Sequence, residues 1–215
     1  GPGLPRLRSG VGPMLMFGIN SLGNYAVSYL NRSVDKLLIG ARIGAVGLGF
    51  YNQSYNLFVI PINQLSYPLT SVAVSSLSRL TDRPDEFKRF YLRAVFLLAF
   101  VGMPLSGLLV LIGGDLIVVL LGNKWEVAGE IFRLFAPGIG MSLVYATNGW
   151  LHLAVGRPDR WFKWSILASV ITVGLFLVGV QWGLQAVALC YSASFYVLLI
   201  PGLWYAGKPI MLGVE

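Results

Sequence analysis

The chain has 215 residues, 56% of them hydrophobic and only 12% charged, with a mean hydropathy of +0.71. A soluble domain carries about 25% charged residues, so this composition excludes an ordinary water-soluble globule and fits a polytopic helical membrane protein. The net charge of +7 does not indicate a nucleic-acid partner, because the basic residues fall in short clusters between apolar runs, as topology signals do.

The opening GPGLPRLRSGVGP reads as a loop, with no initiator Met, signal peptide or amphipathic transit segment, as in a piece of a longer protein. Six spans follow, at roughly 20 apolar residues each. The first is predicted from Pro13 to Arg42, and the second from Leu48 to Leu80 with Pro61 and Pro68 inside it. After the loop TDRPDEFKR, the third runs from Phe87 to Ile112 and contains Pro104. GGDLIVVLLGNKW reads as a separate short helix at the surface. The fourth span covers Val127 to Val155, broken near Pro137-Gly138; the fifth covers Trp161 to Trp182 and the sixth Leu184 to Tyr205, with Pro201. Prolines in four of the six spans suit a bundle that bends. The fold class is therefore all-α: a six-transmembrane-helix lobe at residues 13–206, with a linker at 1–12 and a tail at 207–215.

With six spans the loops alternate sides. Arg6, Arg8, Arg79, Arg83, Lys88, Arg89, Arg93, Arg157, Arg160, Lys163 and Lys208 share one side, eleven of the sixteen Lys and Arg. That side is expected to be cytoplasmic. Arg42 and Lys124 fall on the other, with Arg133 slightly inside the fourth span.

The polar residues have a direction. At about 100° per residue, Asn20, Asn24, Ser28, Asn31, Asp35 and Arg42 fall within about 80° of arc on the first span, flanked by Arg32 and Lys36. On the second, Asn52, Asn56, Asn63, Tyr67 and Thr70 fall within about 60°, flanked by Gln53 and Gln64. On the fourth, Glu126, Glu130, Tyr145, Asn148 and His152 fall within roughly 100°. Polar and charged groups inside a membrane segment usually face a bundle interior or a watery cavity. These three helices are expected to surround a wet centre, with the third and fifth as shell. The cavity-lining set is Asn24, Asn31, Arg32, Asp35, Lys36, Arg42, Asn52, Asn56, Asn63, Gln64, Tyr145 and Asn148. Plainer roles compete: Arg32 and Asp35 as an i,i+3 pair, Lys36 and Arg42 as snorkelling cations, the amides as interhelical glue, Glu130 with Arg133 as a local ion pair, and His152 as a structural residue.

No catalytic constellation, nucleotide-binding motif, cofactor site or metal site is legible. Cys190 is alone in an apolar run, so neither a disulfide framework nor a cysteine metal site is available. GAVGLG lacks the preceding strand of a dinucleotide fingerprint and reads as a turn with close helix packing.

The run VDKLLIGARIGAVGLGFYNQSYNLFVIP, with SVAVSSLSRL, GNKWEVAGEIFRLFAP and GRP after it, resembles the bacterial polysaccharide flippases. These belong to the multidrug/oligosaccharidyl-lipid/polysaccharide exporter superfamily, and the likeness is nearest to the branch that handles lipid-linked exopolysaccharide repeat units, including the colanic-acid type. The resemblance implies two six-helix lobes around a central cavity, this chain being the second. It implies movement of undecaprenyl-pyrophosphate-linked sugars to the outer leaflet of the bacterial inner membrane by alternating access. The implied partners are the lipid-linked oligosaccharide, membrane lipid and the other lobe, with H+ or Na+ coupling left open and no nucleic acid. It further implies cavity cations that hold the pyrophosphate, for which Arg32, Lys36 and Arg42 are the nearest candidates. A cation-coupled multidrug exporter of the same superfamily, or a structural membrane subunit, is the alternative.

Overall fold

The computed structural model describes residues 11–208, apart from the side chains of Val11, Pro13, Asn31 and Arg32. The expected linker and tail therefore lie almost wholly outside the described residues. Within them the chain is a bundle of seven α-helices without a strand: α1 (Val11–Arg42), α2 (Ala45–Ser78), α3 (Pro84–Leu121), α4 (Glu126–Phe135), α5 (Pro137–Ala154), α6 (Pro158–Gly179) and α7 (Leu184–Gly207). Four helices are long and apolar enough to cross a membrane: α2, α3, α6 with its following 3₁₀ turn, and α7. The α4–α5 pair, bent by 47°, makes a fifth if taken as one span. At 32 residues α1 is long enough to cross, but its polar residues dilute its hydropathy and it is not among them.

Two expectations about the elements are corrected. GGDLIVVLLG is not a separate surface helix; it continues α3, which is 38 residues long. Gly113 and Gly114 look like a stop because glycine is a poor helix former, yet here they are the contact surface. A methyl group at Gly113 would lie 2.6 Å from the Phe132 ring, and one at Gly129 of α4 would lie 2.8 Å from the Gly114 carbonyl oxygen. Small residues let membrane helices approach backbone to backbone. The helix ends instead at Gly122, whose φ is +92°.

The second correction concerns the fourth span. The break near Pro137 is a true bend, with Pro137 starting α5. Glu126 and Glu130 therefore do not share a face with Tyr145, Asn148 and His152. They are exposed on α4, while Asn148 and His152 are buried on α5. Glu130 accepts a hydrogen bond from Gln185 Nε2 (2.8 Å), and Arg133 reaches the Val110 carbonyl (3.3 Å).

The turns sort to two ends. Near the α1–α2 turn, Gly47 packs beside Leu184, and the adjoining Gln185 bonds Glu130 of α4. At the opposite end Arg160 Nη2 donates to the Tyr205 carbonyl (2.7 Å) and the guanidinium lies 4.6 Å from that ring. There Arg157 forms an exposed pair with Asp159 at 3.0 and 3.2 Å. This bond, reinforced by the carboxylate charge, holds the guanidinium pKa above its ordinary value. The core between the ends centres on Tyr51, Tyr55, Phe58 and Phe135, and α3 turns Phe96, Phe100, Leu108 and Leu111 outward.

Candidate functional site

The α1–α2 turn sets the geometry. Gly44 adopts φ +95°, a region that side-chain-bearing residues avoid, and the chain reverses into α2. Close to this turn the helices are clasped together: Tyr51 OH donates to Asp35 Oδ2 at 2.8 Å, and the Lys36 backbone N–H donates to Oδ1 at 2.7 Å. Asp35 and Tyr51 are both fully buried, where a carboxylate survives only if it is hydrogen-bonded. The Lys36 ammonium lies 5.1 Å from the centre of the Tyr55 ring, a cation–π distance.

Away from the clasp the two helices part. α1 leans on α6, where the Ser165 hydroxyl donates to Asn24 Oδ1, Gly23 sits against Phe162, and Tyr25 meets the edge of Trp161. α2 leans on α5, where Trp150 Nε1 donates to Thr70 Oγ1 at 2.9 Å. A cavity of about 290 Å³ lies in this fork, lined as well by α5, α6 and α7.

Its walls are of two kinds. One is aromatic: Tyr191 has the rings of Tyr55, Phe58, Phe176 and Phe195 around it at 5.3 to 5.9 Å, and all five line the cavity. The other carries neutral polar groups, with Ser28 from α1, Asn63 from α2, Ser142, Tyr145 and Asn148 from α5, Ser165, Ser169 and Thr172 from α6, and Ser194 from α7. Ser142 donates to the Ile139 carbonyl, Ser194 donates to the Tyr191 carbonyl, and the Tyr145 hydroxyl accepts from Trp164 Nε1 at 2.9 Å. Both polar atoms of the Asn148 amide, and the Ser169 hydroxyl, are buried without a protein partner. No Asp, Glu, Lys, Arg or His stands among the described lining residues.

Of the residues expected at the cavity, the structure brings Asn63, Tyr145 and Asn148 together on its wall and sets Asn24 against it through Ser165. Asp35 and Lys36 form the clasp at the head of the fork. Asn52 is half-buried on α2, its carbonyl oxygen without a protein partner. Arg42, Asn56 and Gln64 are exposed. The side chains of Asn31 and Arg32 lie outside the described residues. The assignment of the fifth span to the shell is corrected, since α6 supplies Ser165, Ser169 and Thr172. Their spacing of four and three residues was the available signal. Single hydroxyls on an apolar helix carry too little polarity to mark a face.

Residues 2–130 match the family described as "Polysaccharide biosynthesis protein", well over half of the chain. The chain belongs to this family. The VDKLLIG run that carried the resemblance lies inside the matched region. The chain is 30% identical over 208 residues to the teichuronic acid biosynthesis protein TuaB of Bacillus subtilis (strain 168), covering 96% of the chain and 43% of TuaB. It is 24% identical over 181 residues to the lipopolysaccharide biosynthesis protein WzxC of Escherichia coli (strain K12), covering 84% of the chain and 37% of WzxC. The chain thus spans less than half the length of either relative. Among solved structures it resembles the lipid II flippase MurJ in its inward closed conformation, with a TM-score of 0.71 at 17% identity, over 87% of this chain and 40% of that one. At that identity the likeness is one of fold: a multi-pass, all-helical membrane protein.

Proposed function

We propose that this chain is one six-helix lobe of a flippase in the bacterial inner membrane. Its cargo is an undecaprenyl-pyrophosphate-linked polysaccharide repeat unit, carried from the inner to the outer leaflet by alternating access against a second lobe. The observation that carries the reading is the neutral polar and aromatic cavity in the α1–α2 fork, in a polysaccharide biosynthesis chain whose fold is that of a lipid II flippase. Discontinuous or bent helices around a midplane site are how rocking transporters are built, and the 47° bend between α4 and α5 suits that motion. In this reading α1 is the sixth span, with Ser28 turned to the fork and Asn24 to α6. Arg32, Lys36 and Arg42 hold the anionic pyrophosphate at the head of the fork, and a coupling cation, H+ or Na+, drives the cycle. The chain acts by binding and moving its cargo, with no bond made or broken. A multidrug exporter of the same superfamily would favour acidic and aromatic cavity residues over basic ones. The described cavity has aromatic rings and neither acidic nor basic residues, and it is the family match that favours a polysaccharide cargo.

The test is translocation of a fluorescent lipid-linked saccharide in proteoliposomes holding the intact protein, read by protection from a membrane-impermeant quencher. Wild type should move the label between leaflets. Arg42→Ala should slow it several-fold at normal abundance, because Arg42 is exposed and its loss strands no buried partner. Rates equal to those of protein-free liposomes would refute the flippase reading. Unchanged rates in both Arg32→Ala and Arg42→Ala would remove these cations from the path.

A further inference from the structure

We propose that the cavity in the fork is a subsite for a single uncharged sugar ring of the cargo. This rests on the flippase reading and narrows it, by giving the sugar a pocket inside the lobe, apart from the cations at the head of the fork.

Three observations select the ligand. The first is the charge of the wall. With no cation in the described lining, a phosphate would be desolvated without compensation; with no carboxylate there, a metal ion fares equally badly. The second is the pairing of surfaces. A pyranose has an apolar C–H face and a polar rim of hydroxyls, and the cavity offers both aromatic rings around Tyr191 and hydroxyls and amides from α1, α2, α5 and α6. The third is unspent hydrogen bonding. Asn148 is 2% exposed, and both its amide oxygen and nitrogen lack protein partners, as does the Ser169 hydroxyl. An alkyl tail in the pocket would leave all three without a partner. Asn148 lines the cavity with its polar atoms buried; turned toward a ligand, an amide that can both donate and accept suits adjacent sugar hydroxyls, or a hydroxyl beside an acetamido group. The volume of about 290 Å³ lies just below the range of pockets that enclose drug-sized ligands, roughly 300–1,000 Å³. That suits one ring of the cargo.

The test uses the intact protein in lipid nanodiscs, with methyl β-D-glucopyranoside and N-acetylglucosamine as probes and saturation-transfer NMR as the readout. At least one probe should bind, and Asn148→Ala should raise its Kd at least tenfold, about 1.4 kcal/mol. Ser169→Ala should weaken binding in the same direction by less. The thermal midpoint of Asn148→Ala should be unchanged or higher, because the substitution deletes a buried amide that has no protein partner. Inorganic pyrophosphate and decanol should not displace the glycoside. Equal affinity in wild type and both variants overturns the subsite. So does displacement by either competitor, or a fall in the midpoint of Asn148→Ala that accounts for the lost binding. The two proposals fail separately: a wild-type protein that binds the probe but moves no lipid-linked saccharide loses the flippase reading and keeps the pocket. One that flips at the same rate with Asn148→Ala, and binds no probe, loses the pocket and keeps the flippase reading.

Discussion

Asp35 shows how much hangs on single side chains in this fold. It is a carboxylate with no exposed surface, and its side-chain partner is the Tyr51 hydroxyl across the α1–α2 junction. Among the described residues no basic side chain lies within ion-pair distance of it. Tyr51→Phe preserves shape and removes that one donor, so the carboxylate loses a charge-assisted hydrogen bond worth about 1.5–3 kcal/mol. The detergent-solubilised variant should melt several degrees lower than wild type. Adding Asp35→Leu to it should recover much of the loss, because the stranded charge goes with it. Equal melting of wild type and Tyr51→Phe would show that the clasp contributes nothing.

At the scale of helices, glycine contacts decide which elements touch. α3 meets α4 at Gly114 and Gly129 and meets α5 at Gly102 and Gly140, where an added methyl on Gly140 would lie 3.0 Å from the Gly102 carbonyl oxygen. Backbone cannot step aside as a flexible side chain can, so overpacking here should cost about 1–3 kcal/mol. Gly129→Ala is expected to lower the thermal midpoint and the yield of folded protein. Gly107→Ala is the control, since a methyl there meets nothing within 4 Å. Replacing a helical glycine with alanine at an open site should be neutral or slightly stabilising. If the two variants behave alike, the α3–α4 approach is looser than described.

For the whole molecule, the concentration of basic residues at one end makes a directional prediction. Arg79, Arg83, Arg157, Arg160 and Lys208 cluster where the α2–α3 and α5–α6 turns lie, and Lys124 lies at the other end. Cysteines placed at 83 and 124, in a background with Cys190→Ser, should label from opposite faces of sealed cells, with 83 accessible only from the cytoplasm. Labelling of both from one side would end the alternating topology of α3, and with it the lobe as proposed.

The sequence alone determined the class and most of the element positions. Length and apolarity mark spans directly, because a bilayer about 30 Å thick requires roughly 20 apolar residues. The prolines and the GRP and GNKW turns located the breaks. The sequence also placed polar faces on the first two helices and on the Tyr145–Asn148 stretch, by simple 3.6-residue geometry, and the VDKLLIG run carried the family. What it could not decide was which of those faces meet. The α4–α5 bend separates Glu126 and Glu130 from Tyr145 and Asn148, and helical phase cannot be carried through a kink. Gly113 and Gly114 read as a break because propensity is local, whereas the Phe132 ring and the Gly129 backbone that occupy their open surface arrive from another helix. Ser165, Ser169 and Thr172 carry too little polarity to announce a wall. They line the cavity only because α1 leans on α6 while α2 leans on α5, a choice made by packing at Asn24, Gly23 and Thr70 over long sequence separations. Only the tertiary structure opens the fork, and the fork makes the site.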